Sequence, residues 1–368
     1  MSKVWLLLCG AFSLCASHTI LDGEKYHLNN LRGQHNVVSM VVLGSGPAGC
    51  AAATYGARAG MDVLVFEGPL PGGQLTETGY VENWPGIKRA KGIEIMESQR
   101  KQAAGAGAHI CPETVKEVDV NTWPFKVQTV EGTEVKALTV IIATGSEPRK
   151  LGTEGEKQYW GQGVSACAVC DAPLYEDREV MVIGGGDSAI EQVIQLSPYA
   201  KKITQIVRRS EMRASAAMQA KLKDLKNASV EYGKDLVRIY GNDMGVCAVD
   251  VYDKLTGKVE QRSIDGIFLA IGHLPRTQIF EGKIALEKDG TITLLGRSQK
   301  TSVPGVFAAG DVADNVYRQA GVAAGEGSKA ERDAEHFLQD LGLTPTVIRS
   351  LRDGKRTVEG LQFYLPTR

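Results

Sequence analysis

The sequence predicts an α/β protein with two Rossmann-like (three-layer ββα) nucleotide-binding domains. Three observations carry this prediction: a chain of 368 residues, a content of 42 glycines, and a strand–glycine loop–helix pattern that occurs twice. The length suits about two domains. Glycine makes up roughly 11% of the chain against an average of about 7%, and such an excess is typical of tight turns and close backbone approaches.

Composition and charge narrow the class of protein. The chain carries 42 Lys and Arg against 43 Asp and Glu, a formal net charge of −1, and 43% of its residues are hydrophobic. These values are typical of a soluble globular protein rather than a fibrous or disordered one. Because nucleic-acid binding usually needs a basic surplus, we expect no nucleic-acid partner.

The first glycine loop follows residues 37–43, a valine-rich run typical of a buried parallel strand. The loop consists of Gly44, Ser45, Gly46, Pro47, Ala48 and Gly49, and an alanine-rich helix follows it. Gly44 permits the tight turn, Gly46 lets the backbone approach a pyrophosphate, and Gly49 allows close helix–strand packing. The next strand ends at Glu67, which is placed to accept hydrogen bonds from a ribose. The sequence therefore predicts dinucleotide binding here.

The second glycine loop follows the strand at 179–183 and consists of Gly184, Gly185, Gly186, Asp187, Ser188 and Ala189. The next strand ends not in an acid but in Arg208 and Arg209, with Arg213 close behind. Guanidinium groups suit a phosphate on the ribose 2′ oxygen, where an acid would repel it. We interpret this loop as NADP-type; the alternative is a solvated basic turn.

A pair of cysteines lies between the two loops, at Cys167 and Cys170, with Asp171 directly after it. Two intervening residues let the sulfurs meet and cycle between dithiol and disulfide. The adjacent acid can donate or accept the proton that each cycle requires. An inert buried pair or a structural disulfide is the alternative. With no second CxxC and no nearby pair of histidines, we predict no metal site.

The N-terminus resembles a secretory signal peptide over residues 1–16, with Lys3 before an apolar run and small residues at its end. The run is too short to span a bilayer, so we expect no stable membrane insertion. Residues 17–34 are predicted to form a linker. A true signal would send the protein to the secretory pathway; if the apolar run is instead an ordinary buried segment, or the true start lies upstream, we expect a cytoplasmic protein.

Taken together, these motifs resemble the low-molecular-weight NADPH-dependent thioredoxin reductases, the bacterial, fungal and plant type, from about residue 36 to 341. The flavin domain of that family is similar to GSGPAG at 44–49, GGQL at 72–75, VENWPG at 81–86 and ATG at 143–145. Its nicotinamide domain is similar to SACAVCD at 165–171, GGGDSA at 184–189 and AIGH at 270–273. Its returning flavin segment is similar to TSVPGVFAAGDV at 301–312 and YRQA at 317–320.

The resemblance implies an FAD domain in two parts, 35–148 and 277–341, with an NADPH domain at 149–276 inserted between them. Residues 342–368 match no part of the family pattern and are expected to form a surface extension. Beside the first loop and Glu67, the resemblance places these residues along the FAD: Gly72, Gly73, Gln74, Asn83, Ala143, Thr144, Gly145, Gly310, Asp311, Arg318, Gln319 and Ala320.

The resemblance also implies an activity. NADPH would reduce FAD, FAD would reduce the Cys167–Cys170 disulfide, and the dithiol would reduce a thioredoxin or thioredoxin-like protein; a homodimer is implied as well. A dithiol oxidase of similar fold would not need the intact second loop and its arginines. A ferredoxin–NADP reductase would lack the CxxC, and a peroxiredoxin-reducing relative would carry an additional thioredoxin-like domain. A non-catalytic binding module would leave the dithiol unexplained.

Three segments depart from the family pattern. Ala172-Pro173 follows the dithiol where glycine is usual, which would stiffen the redox turn. Val207 stands where histidine is common before the paired arginines, and this should alter adenosine packing more than phosphate charge. Glu326 and Lys329 lie in a helix start that is usually small and neutral, so they put flavin affinity or potential in question.

Overall fold

The structure is a computed structural model that describes residue 32 and residues 35–352. The predicted signal peptide at 1–16 and nearly all of the predicted linker at 17–34 lie outside the described residues, as does the end of the C-terminal extension. The predictions made for those segments therefore stay predictions.

The elements alternate between strands and helices along the described chain. The first strands are β1 (Val37–Leu43), β2 (Val63–Phe66), β3 (Tyr80–Val81), β4 (Ala90–Lys91), β5 (His109–Cys111), β6 (Val115–Asp119), β7 (Phe125–Thr129), β8 (Glu134–Ile142) and β9 (Ser146–Pro148). The later strands are β10 (Val164–Ser165), β11 (Glu179–Ile183), β12 (Lys202–Val207), β13 (Ala228–Tyr232), β14 (Lys234–Asn242), β15 (Gly245–Asp253), β16 (Lys258–Ser263), β17 (Gly266–Leu269), β18 (His273–Pro275) and β19 (Val306–Ala308). The helices are α1 (Pro47–Arg58), α2 (Gly92–Ala106), α3 (Ala168–Asp171), α4 (Asp187–Leu196), α5 (Ala216–Lys223), α6 (Ala320–Asp340) and α7 (Pro345–Arg352). Of these helices, none has the length and apolar content needed to cross a bilayer.

The first sheet has seven strands, in the order β5-β2-β1-β8-β7-β6, with β19 paired to the end of β8. The strands β5, β2, β1, β8 and β19 are parallel, and every residue of β1 is buried, as expected for a strand covered on both faces. Helix α6 closes this layer by packing on α1: a side chain at Gly327 would collide with the Ala48 carbonyl. Residues from both ends of the described chain thus share one hydrophobic core.

The second sheet has five parallel strands in the order β10-β17-β11-β12-β13, and an antiparallel sheet, β14-β15-β16, follows in sequence. The chain enters and leaves this half through β9 and β18, which pair antiparallel with each other. Beyond β9 the chain is fixed by Glu156, whose buried carboxylate accepts hydrogen bonds from the N–H groups of Leu151, Gly152 and Thr153. The predicted fold class, α/β with two Rossmann-like halves, is confirmed.

The C-terminal extension differs from the expected surface segment over its described part. Residues 345–352 form α7, and the side chains of Leu343 and Ile348 are buried in the core of the first sheet. Two apolar residues five positions apart are too weak a pattern to predict burial from the sequence, because the partner surface is formed by elements far away in the chain.

We predict that a chain lacking residues 1–34 stays soluble and binds flavin, because the buried first strand begins only at Val37. A chain lacking residues 1–39 is the matched control. It removes Val37, Val38 and Ser39, all buried in β1, and should aggregate because the strand loses nearly half its length. Yield of soluble protein and its 450-nm flavin absorbance measure both. An insoluble or colourless product from the shorter deletion would show that residues 1–34 belong to the fold.

Candidate functional site

The first glycine loop lies at the carboxyl end of β1, as a dinucleotide site requires. Gly44 has a φ of 106°, and a side chain there would collide with the Ala143 carbonyl. Helix α1 begins directly after Gly46 and has no side-chain cap, so N–H groups of its first turn stay available to an anion. The loop therefore fits a pyrophosphate.

A second flavin-side loop, at 72–74, supports the first. Ser45 Oγ accepts a hydrogen bond of 2.8 Å from the Gly72 N–H. The backbones approach so closely that a Cβ on Gly73 would lie 3.1 Å from the Gly46 Cα. This approach explains Gly73, whereas Gly72 has a φ of 83° and a Cβ there would lie 2.6 Å from the Thr76 side chain.

Glu67 follows β2, as predicted, but its surroundings were not foreseen. Arg100, on α2, donates to both carboxylate oxygens over 2.7 and 3.0 Å, and the Glu67 side chain is only 3% exposed. The arginine balances a buried charge and holds the carboxylate in place. Sequence reasoning missed Arg100 because it lies 33 residues further along the chain. Glu67 still lines the same cleft as the first glycine loop.

The segment that returns after the second sheet brings the remaining predicted flavin residues to the same place. Ser146 Oγ donates to Asp311 over 3.3 Å, and burial raises the pKa of Asp311 to about 6. Arg318 adopts a left-handed φ of 47°. Gln319 precedes α6, and its side-chain oxygen accepts a hydrogen bond from Asn83 over 3.1 Å.

One cleft of about 720 Å³ collects most of the predicted residues. It is lined by Gly44, Ser45, Gly46, Pro47, Ala48, Glu67, Gly73, Gln74, Asn83, Ala143, Thr144, Gly145, Gly310, Asp311, Arg318, Gln319, Ala320, Cys167, Cys170 and Asp171. Gly49 and Gly72 are buried behind it and serve packing. Ser188, predicted for the second nucleotide loop, also lines this cleft. The cleft therefore joins the first nucleotide loop to the dithiol.

The dithiol loop is organised by Ser165, which sequence reasoning did not single out. Cys167 and Cys170 form a disulfide in the structure, and the Cys167 N–H donates to Ser165 Oγ over 3.0 Å. Burial raises the pKa of Asp171, while a hydrogen bond with Ser165 partly opposes the rise. A buried acid with a raised pKa suits proton transfer to sulfur. Ala172, at the departure from the family pattern, is buried beside this acid.

His273, from the AIGH motif, faces the return segment. Its Nδ1 lies 3.4 Å from Arg318 Nη1, and burial together with that guanidinium lowers the pKa of His273 to about 4. The imidazole is therefore neutral at pH 7. The motif was visible in the sequence, but its arginine neighbour lies 45 residues away.

The second glycine loop lines a separate cavity of about 750 Å³, together with Arg208, Arg209 and Arg213. The chain after β12 folds back onto the loop: the Arg213 N–H donates to the Gly185 carbonyl over 2.7 Å. Among the residues that the structure describes, none of the three guanidinium groups has a salt-bridge partner. The cavity therefore fits an anionic group such as a 2′-phosphate.

The lining of this cavity includes only some of the residues predicted for the second glycine loop, together with residues that were not predicted. Gly184 and Gly185 line it, whereas Gly186, Asp187 and Ala189 do not; the Asp187 carboxylate instead accepts a hydrogen bond of 2.7 Å from the Ser215 N–H. Val207 packs against Gly185, where a Cβ would lie 2.9 Å from the valine side chain. Sequence reasoning missed three further cationic residues on its wall, Arg149, Lys150 and Lys234.

Glu326 has a structural task in α6. Its carboxylate accepts a hydrogen bond of 2.8 Å from the Gly310 N–H, and burial raises its pKa. The departure from the family pattern thus ties α6 to the loop that carries Asp311. No group of His, Cys, Asp and Glu suited to a metal ion occurs within residues 35–352.

Comparison with known proteins agrees with this geometry. Residues 38–327 match the family described as pyridine nucleotide-disulphide oxidoreductase. The chain is 41% identical to NADPH-dependent thioredoxin reductase 3 of Arabidopsis thaliana over 83% of its own length, and spans 59% of that longer protein. It is also 41% identical to the thioredoxin reductase of Dictyostelium discoideum, covering 83% of this chain and 98% of that one. Among solved structures, thioredoxin reductase from Giardia duodenalis matches with a TM-score of 0.79 at 40% identity, covering 83% of this chain and all of that chain.

We predict that Asp171→Asn stabilises the fold at pH 7. Because burial raises the pKa of Asp171, the folded state disfavours its ionised form, and the amide removes that cost. The gain should shrink as the pH falls toward the ordinary aspartate value of about 3.9, where the acid is protonated in both folded and unfolded chains. Urea unfolding of both proteins between pH 4 and 8 measures it. A gain independent of pH would contradict a buried carboxylate as its cause.

Proposed function

The chain belongs to the thioredoxin reductase family of pyridine nucleotide-disulphide oxidoreductases, and we propose that it uses NADPH to reduce the disulfide of a thioredoxin or thioredoxin-like protein. The observation that carries this proposal is the shared cleft, which is lined both by the Cys167–Cys170 disulfide and by the first nucleotide loop. A disulfide so placed can receive electrons from a flavin held by that loop.

Each of the two cavities would hold one cofactor. The first sheet, with residues 35–148 and 277–341, would hold FAD: the loop at 44–49 would take the pyrophosphate, and Asp311 lines the same cleft. The second sheet, with residues 149–276, would hold NADPH, with Arg208, Arg209 and Arg213 on its 2′-phosphate. When bound, FAD accepts an electron pair from NADPH and passes it to the disulfide.

Proton supply falls to Asp171. Reduction of the disulfide adds two electrons and at least one proton, and breaks the S–S bond. Asp171 directly follows Cys170, and its raised pKa favours the protonated acid that this step consumes. When thioredoxin is later reduced, the same carboxylate takes a proton back.

The two sulfurs have different tasks. By motif position, Cys170 would face the flavin, and Cys167 would be the outer sulfur that attacks thioredoxin and forms a mixed disulfide. Val169 and Leu174, 48% and 42% exposed, give the loop an apolar surface for a protein partner.

Electron transfer needs a change in domain arrangement. The disulfide lines the flavin-side cleft, so a nicotinamide from a coenzyme held at Arg208 and Arg209 would have to take its place to meet a flavin there. The paired strands β9 and β18 are the two connections between the halves, and a rotation about this pair would exchange disulfide and nicotinamide.

The proposal also covers the oligomeric state of the enzyme and its cellular compartment. We propose a homodimer, on the family resemblance, and sedimentation velocity of the holoenzyme distinguishes it from a monomer. We also propose that residues 1–16 direct the enzyme to the secretory pathway, on the basis of Lys3 and its apolar run. The N-terminal residue of the mature protein distinguishes cleavage from a retained, cytoplasmic start.

We predict that Arg208→Ala combined with Arg209→Ala selectively weakens the use of NADPH. Each lost charge-assisted contact should cost about 1.5–3 kcal/mol, or roughly ten- to more than a hundredfold in affinity. The KM for NADPH should rise by at least that factor, since two contacts are lost, while the KM for NADH, which lacks the phosphate, stays nearly unchanged. Steady-state kinetics with both coenzymes tests this. Equal losses would show that the arginines do not read the phosphate.

We predict that Cys170→Ser traps thioredoxin covalently but does not turn over, because Cys167 remains as the attacking thiol. Cys167→Ser should lose both properties. Each variant is incubated with a thioredoxin that carries one activated cysteine, and the adduct is followed as a gel shift. Trapping by Cys167→Ser alone would reverse the assignment of the two sulfurs.

A further inference from the structure

The side chain of Gln319 reaches from the return segment to the disulfide. Its Nε2 lies 4.0 Å from Cys167 Sγ and 3.4 Å from the Tyr317 carbonyl. Its Oε1 accepts a hydrogen bond from Asn83 Nδ2 over 3.1 Å. Because Asn83 occupies the oxygen, the N–H end of the amide faces the sulfur. No other hydrogen bond to either sulfur occurs among the described residues.

We propose that Gln319 is a catalytic residue that donates a hydrogen bond to the Cys167 sulfur as this sulfur becomes a thiolate, and that Asn83 positions the amide. The inference rests on the proposed function, since it assigns a role in reduction of the same disulfide. Two electrons from NADPH, delivered through FAD, break the S–S bond. Cys170 takes a proton from Asp171, and Cys167 keeps an electron pair and a negative charge.

The contact favours the reduced state because the acceptor changes its nature. A disulfide sulfur is a weak, uncharged acceptor, and its distance of 4.0 Å from Nε2 agrees with that. A thiolate carries a full charge, and hydrogen bonds to charged acceptors are about twice as strong as neutral ones. The same donor thus stabilises the product of reduction more than the disulfide, and it directs the charge to the outer sulfur.

The contact also crosses between the two halves of the protein. Gln319 precedes α6, which packs on the first sheet, whereas Cys167 lies between β10 and α3, beside the second. The Cys167 thiolate is therefore stabilised only while the disulfide loop lies in the flavin-side cleft. A rotation that withdraws the loop removes this donor, and the thiolate becomes more reactive where it meets thioredoxin.

The test measures the thiol–disulfide equilibrium of the holoenzyme, with neither NADPH nor thioredoxin. Wild type and Gln319→Met are equilibrated at pH 7 in redox buffers of dithiothreitol, and the fraction of Cys167–Cys170 disulfide is read by differential alkylation and mass spectrometry. Methionine has similar length but no N–H. We expect the equilibrium to shift about tenfold toward the disulfide, or about 30 mV for this two-electron couple.

A second variant guards against loss of flavin from Gln319→Met, which the ratio of flavin to protein absorbance reports. In Asn83→Asp the carboxylate can only accept, so the Gln319 amide turns its N–H toward it and its oxygen toward the sulfur. Asn83 is exposed, so this exchange should not disturb folding. We expect a shift in the same direction. Gln195→Met, at a glutamine of the same cleft with no bond to either sulfur, should keep the wild-type equilibrium.

A wild-type equilibrium in flavin-loaded Asn83→Asp would overturn the proposal, as would one in flavin-loaded Gln319→Met. A shift in Gln195→Met as large as that in Gln319→Met would overturn it too, because any change in the cleft would then have the same effect. Failure of the proposed function is a separate result: the wild-type holoenzyme would not reduce thioredoxin with NADPH, whatever the equilibrium of its dithiol.

Discussion

The packing of α6 across the start of α1 is the contact on which the flavin-side cleft depends. At Gly327 of α6 the two helices approach so closely that a side chain would collide with the Ala48 carbonyl of α1. Glu326 adds a hydrogen bond from the same helix to the Gly310 N–H. The contact brings the return segment, with Asp311 and Gln319, to the first glycine loop, although more than 250 residues of chain separate them. Without this contact, the return segment would not line the cleft opposite the first glycine loop.

The half of the chain that contains the second sheet is joined to the first by two short connections, which run side by side. Their pairing as β9 and β18 makes a narrow ribbon, whereas each half has its own hydrophobic core. Glu156 fixes the chain just beyond this ribbon by accepting three backbone hydrogen bonds. A rotation of one half against the other, as proposed above, would bend the chain at this ribbon.

Much of the site could be predicted from the sequence because its parts are local. Short motifs are enough to identify its chemistry: a glycine loop between a strand and a helix, and two cysteines followed by an acid, each lie within about ten residues. The missed residues depend on long-range contacts instead. Arg100 is identified only by its pairing with Glu67, and Ser165 by its bonds within the folded dithiol loop. The burial of Ile348 was likewise not predicted, because its partner surface is assembled from distant elements.

The titratable groups around the disulfide follow one electrostatic rule: burial favours their neutral forms. The pKa of Asp171 is raised, that of Asp311 is raised to about 6, and that of His273 is lowered to about 4. A neutral group repels the electron pair that reduction brings into the cleft less than an ionised acid does. The raised pKa of Asp171 makes its protonated form easier to reach, and that form can release a proton to one sulfur while an amide N–H faces the other. The incoming charge would thus be met by a proton at one sulfur and a hydrogen-bond donor at the other.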